Sequence, residues 1–337
     1  MQSYEPWLAK PWPHNGFPQR VATAWSLAPS TIRGVALPLV NPNLKEVYEV
    51  RRTPIRWGAL SQPLAFWHLA SLDAPTVAAV WAFAFAKAAG VHLQPWIALL
   101  LFSGTWSVYL GDRLLDARRA TLAGRLDALR ERHFFHWRHR RTLFPAAIGS
   151  AVLAAFLIVH RMPVVIRERN SLLAAAALVY FSGVHSSPSF PAWLRKIGTK
   201  EMLVGVLFTA GCAAPTLSRF AAGRMPGLWP LLLCIAFFAT LAWCNCSAIE
   251  TWESSEGERS VSLHAASLSL AGATLAAALA FMHHGAAALI AAGTASGILL
   301  LLLDRIRFRV SALTLRALAD VVLLVPVVLL ARGAYPA

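Results

Sequence analysis

The chain has 337 residues, 57% of them hydrophobic and only 14% charged, with a mean hydropathy of +0.54. A soluble domain of this size carries nearer a quarter charged residues, so a water-soluble globular class is excluded. The net charge of +15 raises nucleic acid as a partner, but no nucleic-acid-binding motif accompanies it, and the charge lies between apolar blocks.

In chain order, residues 1–63 come first, a polar-to-mixed extension punctuated by Pro6, Pro11, Pro13, Pro18, Pro29, Pro38, Pro42, Pro54 and Pro63. Proline at this density prevents long helices, so extended chain on the cytoplasmic face is expected, with Val21–Val40 apolar enough to dip into the interface. No cleavable signal peptide is expected, because no apolar run follows a basic start.

Residues 64–337 read as a membrane domain. Runs of about 17–25 apolar residues mark membrane spans, and nine are found: roughly 66–90, 94–111, 143–161, 171–186, 199–217, 228–249, 262–282, 285–303 and 312–331. The first is interrupted by His68, Asp73, Pro75 and Lys87, and the fifth opens on Lys200 and Glu201. The fold class is therefore all-α, a polytopic bundle of about nine transmembrane helices.

Basic residues set the expected orientation. Nine arginines lie between the second and third spans, and further Lys and Arg follow spans four, six and eight, making sixteen on one side against six on the other. Seven more precede the first span. By the positive-inside rule the richer side is cytoplasmic, with the N-terminus. The same surface suits anionic lipid headgroups.

After the second span, His133, His136 and His139 stand at i, i+3 and i+6 among aromatic and basic residues. Positions i and i+6 align poorly on one helical face, so an interfacial anchor is expected rather than a metal site. The four cysteines, Cys212, Cys234, Cys244 and Cys246, lie in or beside apolar spans and read as buried free thiols.

Two acidic pairs carry the chemistry. Asp112 and Asp116 end the second span at i, i+4, and Glu250 and Glu253 end the sixth at i, i+3, with Asn245 just before and Glu256 a turn beyond. Each pair shares one helical face, and carboxylates about 6 Å apart repel unless a cation or proton sits between them. Mg2+ suits such pairs, because it takes one or two carboxylates plus substrate phosphate oxygens. Two opposed acidic helices holding Mg2+ form a receptor for a diphosphate. Arg113, Lys196, Lys200 and Arg259 are placed to offset charge on a leaving pyrophosphate. Asp320, with Arg316 at i−4, either forms an internal ion pair or lines the same cavity to orient an acceptor, and Asp73 poses the same question.

Over roughly residues 66–331 the chain resembles the UbiA superfamily of intramembrane prenyltransferases. The family's first motif, N-D-x-x-D-x-x-x-D, meets Asp112-Arg113-Leu114-Leu115-Asp116-Ala117-Arg118-Arg119-Ala120. Asp112 replaces Asn, Asp116 is kept, and Arg113 and Ala120 replace acids. The second motif, D-x-x-x-D-x-x-x-G-(K)-R-T, meets Glu253-Ser254-Ser255-Glu256-Gly257-Glu258-Arg259-Ser260, with Glu250 a displaced substitute for the first acid. Tyr180, with Lys196 and Lys200 beyond it, resembles the family's residues beside the diphosphate.

The resemblance implies Mg2+-dependent transfer of a prenyl group from a polyprenyl diphosphate to an aromatic or other lipophilic acceptor within the membrane, at a site facing the cytoplasm. Asp112, Asp116, Glu250 and Glu253 would hold Mg2+. Trp106, Tyr109 and Trp243 would shield an allylic cation by cation–π contact. A terpene cyclase without an external acceptor, a degenerate non-catalytic lipid-binding protein and a transporter are the alternatives. No internal repeat or paired broken helices of the transporter kind is found in the sequence.

Overall fold

A computed structural model describes residues 61–337 except 123–130, 187–198, 221–227, 254–260, 283 and 332–337. The expectations for residues 1–60, and for Lys196, Glu256, Glu258 and Arg259, therefore lie outside the described residues. Every regular element among those described is helical. The physical reason is that a bilayer supplies no partner for backbone N–H and C=O groups, so apolar blocks satisfy them within helices.

The helices in order are α1 (Ser61–Leu69), α2 (Asp73–Ala88), α3 (Pro95–Leu122), α4 (Glu131–Arg138), α5 (Arg140–Arg161) and α6 (Val164–Ser186). There follow α7 (Lys200–Phe220), α8 (Leu228–Glu253), α9 (Ser262–Phe281), α10 (Ala286–Ile306), α11 (Ala312–Val322) and α12 (Val327–Ala331). Five are long and apolar enough to cross a membrane: α5, α7, α8, α9 and α10 with its 3-10 extension to Arg309. A sixth span results if the α1–α2 pair counts as one. Helices α3 and α6 have the length but are too polar along it.

The expected first span, 66–90, is broken. Helix α1 ends at Leu69, α2 begins at Asp73, and the two are bent by 86°. The cause is local. Ser71 adopts a left-handed φ of 58°, which an L-residue leaves the helix to reach. Asp73 and Pro75 then occupy the first turn of α2, where a carboxylate meets the positive helix end and proline loses no hydrogen bond. Neighbours stabilise the break: Trp106 Nε1 donates to the Ala70 carbonyl at 2.9 Å, and the His136 ring meets the Ser71 hydroxyl at 3.0 Å.

The expected ninth span, 312–331, is divided too, with turns at Leu323–Pro326 between α11 and α12. Here Trp81 Nε1 donates to the Leu323 carbonyl at 2.8 Å, and Lys87 Nζ donates to that of Leu329. The Leu323 carbonyl lies at the turn, and the indole of Trp81 on α2 supplies its donor.

The main core lies where α2, α8 and α10 meet. Trp81 stacks on Phe238 with centroids 3.7 Å apart, and Phe85 meets the same ring edge-on at 5.9 Å. Glycines admit the closest approaches. A Cβ on Gly272 or Gly293 would fall 2.6 or 2.7 Å from the Phe237 ring, and one on Gly205 would fall 2.9 Å from the Trp243 backbone nitrogen. Small residues let membrane helices approach each other in this way.

Candidate functional site

The cytoplasm-facing ends expected for the second and sixth spans meet in the fold. A cavity of about 250 Å3 is lined by Asp112 and Arg113 from α3, Lys200 and Gly205 from α7, Asn245 and Glu250 from α8, and Arg316 and Asp320 from α11. His68 and Asp73, from the two sides of the α1–α2 break, complete it. Six of the residues singled out in the sequence therefore share one cavity: Asp112, Arg113, Lys200, Asn245, Glu250 and Asp320.

The others are placed differently. Asp116 is not among the lining residues; its carboxylate is 41% exposed and stands 4.0 Å from His133 Nε2. Glu253 also lies outside the lining, and is held by Arg316 and, at 3.6 Å, by Arg132. Tyr180 lines a second cavity, considered below.

Arg316 thus reaches across to α8 instead of pairing with Asp320 on its own helix. Asp320 accepts a hydrogen bond from Asn245 Nδ2 at 3.3 Å and faces His68 Nδ1 at 3.5 Å. Arg113 is buried; it donates to the His68 carbonyl at 3.2 Å and stands 3.9 Å from Asp73 Oδ2. The charge that replaces a motif acid in the sequence is therefore directed at a second acid from the broken first span.

Two charged groups missed in the sequence prove to be central. His68 Nδ1 lies 2.6 Å from Asp73 Oδ2, and both side chains are almost wholly buried. On a continuous helix, positions i and i+5 point about 140° apart, so only the break lets them meet. Asp304 is the other: fully buried at the end of α10, it accepts hydrogen bonds from Trp252 at 2.8 Å, from Ser262 and from Arg307 at 2.9 Å. It ties α8, α9 and α10 together away from the cavity.

The cavity is densely charged. Its described lining includes five carboxylates, those of Asp73, Asp112, Glu201, Glu250 and Asp320. Against them stand Arg113, Arg132, Lys200 and Arg316, and Glu253 engages two of these cations from just outside.

A larger, mostly apolar cavity of about 490 Å3 adjoins the first. Its walls come from α3, α5, α6 and α7, through residues such as Leu101, Val108, Ile158, Phe181 and Leu207. The two cavities share Tyr109, Asp112, Lys200, Val204 and Phe208. Tyr180 joins the apolar side, its buried hydroxyl without a hydrogen-bond partner among the described residues.

Of the aromatics considered as cation shields, Tyr109 lines both cavities and lies beneath the Arg113 guanidinium at 5.9 Å. Trp106 is directed to the Ala70 carbonyl, and Trp243 packs edge-on to His264 at 5.7 Å.

The three loop histidines do not converge. His136 is fully buried against Ser71 rather than interfacial, while His139 bonds the Phe135 carbonyl and His133 faces Asp116. Burial of the His136 ring pushes its pKa down to about 4, with the Arg113 and Arg132 charges acting in the same direction. All four cysteines are free thiols, Cys246 being the one that is not fully buried. The chain matches no protein-family model, no curated protein and no solved structure.

Proposed function

We propose that the chain is a Mg2+-dependent intramembrane prenyltransferase of UbiA type, acting from the cytoplasmic side of the membrane on a polyprenyl diphosphate and a lipophilic, in particular aromatic, acceptor. The observation that carries the reading is the junction of the two cavities. A charged chamber and an apolar one adjoin, sharing Tyr109, Asp112, Lys200, Val204 and Phe208 in their walls. A prenyl diphosphate has the same division, with a charged head and a hydrocarbon tail. The apolar chamber, walled by α3, α5, α6 and α7, suits the tail.

The donors present fit a hard cation. Asp112 and Glu250 bring carboxylates from two helices to one cavity, and these two groups would repel a bare diphosphate. Bound there, Mg2+ would offset charge on the diphosphate oxygens and favour loss of pyrophosphate.

The chain's own residues do the rest. Lys200, in the first turn of α7, places its ammonium where the helix end is also positive, on the leaving-group side. Tyr109 presents its ring at the junction, where the allylic carbon would ionise, and shields it from water. Asn245 and Asp320 form a hydrogen-bonded pair on the far wall, suited to orienting a polar group of the acceptor.

The test is binding of a farnesyl or geranylgeranyl diphosphate analogue to purified protein, with and without Mg2+. Mg2+-dependent binding that weakens about tenfold or more in Asp112→Asn supports the reading; absence of binding under either condition overturns it. Incubation with the diphosphate alone then separates transfer from cyclisation by its products.

A second reading is favoured by one observation, the 86° break in the first span beside buried His68 and Asp73 and half-buried Asp320. Broken helices with intramembrane acids also serve cation-coupled transport. Proteoliposomes that accumulate a solute against a cation gradient would support it, and absence of diphosphate binding would accompany it.

A further inference from the structure

His68, Asp73 and Asp320 bring one imidazole and two carboxylates together in the lining of the charged cavity. One ligand atom from each lies within 4.8 Å of the others. His68 Nδ1 is 2.6 Å from Asp73 Oδ2 and 3.5 Å from Asp320 Oδ2. Ligand atoms 2.0–2.2 Å from a tetrahedral Zn2+ are about 3.4 Å apart, so small side-chain movements would seat an ion between them.

We propose that these three side chains bind a divalent transition-metal ion of the Zn2+ or Mn2+ class, with an open coordination position facing the cavity.

Three further observations support the site. Despite the short separations, neither imidazole nitrogen of His68 makes an aligned hydrogen bond, although the ring is fully buried. Asn245 is 4% exposed and lines the same cavity; its Nδ2 donates to Asp320, while its Oδ1 is buried without a hydrogen-bond partner. Buried polar atoms without partners are costly; an ion would engage His68 Nδ1, the nitrogen that faces both aspartates, and its bound water would offer a donor to Asn245 Oδ1. Finally, the ligands come from three separate elements, and the α1–α2 break is held by Trp106, Arg113 and His136.

The donor set decides the class of ion. Mg2+ and Ca2+ prefer oxygen ligands throughout, whereas an imidazole beside carboxylates suits Zn2+, Mn2+ or Fe2+. Three protein ligands with a position left open describe a site that can take water or a substrate oxygen, unlike a closed structural site. Asp73 Oδ1 accepts the Ala74 N–H at 2.8 Å, which leaves Oδ2 as the ligating oxygen, and Arg113, 3.9 Å from Oδ2, offsets the charge of that carboxylate. The site is distinct from the Asp112 and Glu250 carboxylates and does not depend on the diphosphate reading.

The experiment loads purified full-length protein in detergent with Zn2+ or Mn2+ and measures retained metal after dialysis. One equivalent is expected in wild type. Asp320→Asn and His68→Gln should lower retention about tenfold or more, and Asp112→Asn should keep it. Size-exclusion profiles show whether each variant is folded. A second measurement needs no variant: Mn2+-loaded wild type should show electron-spin coupling to an imidazole nitrogen.

Absence of a retained equivalent, or of nitrogen coupling, overturns the proposal. Metal lost in Asp112→Asn but kept in Asp320→Asn also overturns it, and would place the ion on the acidic helices that the diphosphate reading requires. The buried cluster would then be a charge-balanced network of Arg113, His68 and the two aspartates.

Discussion

Arg316 on α11 pairs with Glu253 at the end of α8, although Asp320 stands one turn away on its own helix. The choice leaves Asp320 to Asn245 and His68, inside the cavity. It also connects α11 to the acidic end of α8 that sequence reasoning had assigned to metal binding. Both side chains are only about 15% exposed, so the pair is poorly screened. A double-mutant cycle with Arg316→Met and Glu253→Gln should give a coupling of about 1–3 kcal/mol, read from thermal unfolding in detergent. Coupling near zero would mean that Arg132 alone satisfies Glu253.

Asp304 accepts from Trp252, Ser262 and Arg307 while fully buried. Replacement by Ala leaves three donors without their acceptor and should cost about 3–5 kcal/mol. Diphosphate binding, measured on the protein that remains folded, should change little, because Asp304 is outside the cavity lining. A selective loss of binding with unchanged unfolding temperature would contradict this structural role.

Gly205 lies where α7 crosses α8. An added Cβ would be 2.9 Å from the Trp243 nitrogen and 3.3 Å from the Ala239 carbonyl oxygen. Both are backbone atoms, which cannot swing aside as a flexible side chain would. Gly205→Ala should therefore push the helices apart and destabilise by about 1–3 kcal/mol. As Gly205 also lines the charged cavity, ligand binding should weaken in parallel. Gly211, with no atom near an added Cβ, is the control, and its alanine variant should unfold like wild type.

His136 supplies a pH dependence. Its folded pKa is held down to about 4 by burial, against 6.5 unfolded. The unfolded chain therefore takes up the proton first as pH falls. Stability from this group is complete above about pH 6.5 and declines down to about pH 4, below which it is flat. Carboxylates titrate in the same window, so the measure is the difference between wild type and His136→Gln. The unfolding temperature of the variant should fall less steeply between pH 7 and 4. Parallel curves would show that the ring stays neutral in neither state or in both.

Much of the helical layout was legible because apolar blocks in a membrane can satisfy their backbone in few other ways. Glu250 and Glu253 stand at the end of α8, whereas α3 continues past the expected end of the second span to Leu122 and carries Asp112 and Asp116 inside it; Asp112, Glu250, Lys200, Arg113, Asn245 and Asp320 reach one cavity. Helical spacing placed Asp116 beside Asp112 and Glu253 beside Glu250, but spacing on one helix says nothing about the neighbour it faces. Asp116 turns toward His133 and Glu253 toward two arginines.

The histidines show the same division. The sequence placed His136 with two others in a basic, aromatic segment, which describes a membrane surface; burial came from the docking of α4 over the α1–α2 break. His68 looked like an interruption of an apolar run. Its role depended on Ser71 taking a left-handed conformation, a single torsion that periodicity does not reveal.

By itself, then, the sequence determined an all-helical chain with several helices apolar enough for a membrane and the acids that follow two of its apolar blocks, because these follow from hydropathy and spacing along one chain. Tertiary structure alone decided which charges meet. His68 with Asp73, Asp320 with Asn245 and Arg316 with Glu253 bring together residues separated by a helix break or by long stretches of chain. In a low-dielectric interior each buried charge must find a partner in space, and the helix packing determines which partner is within reach.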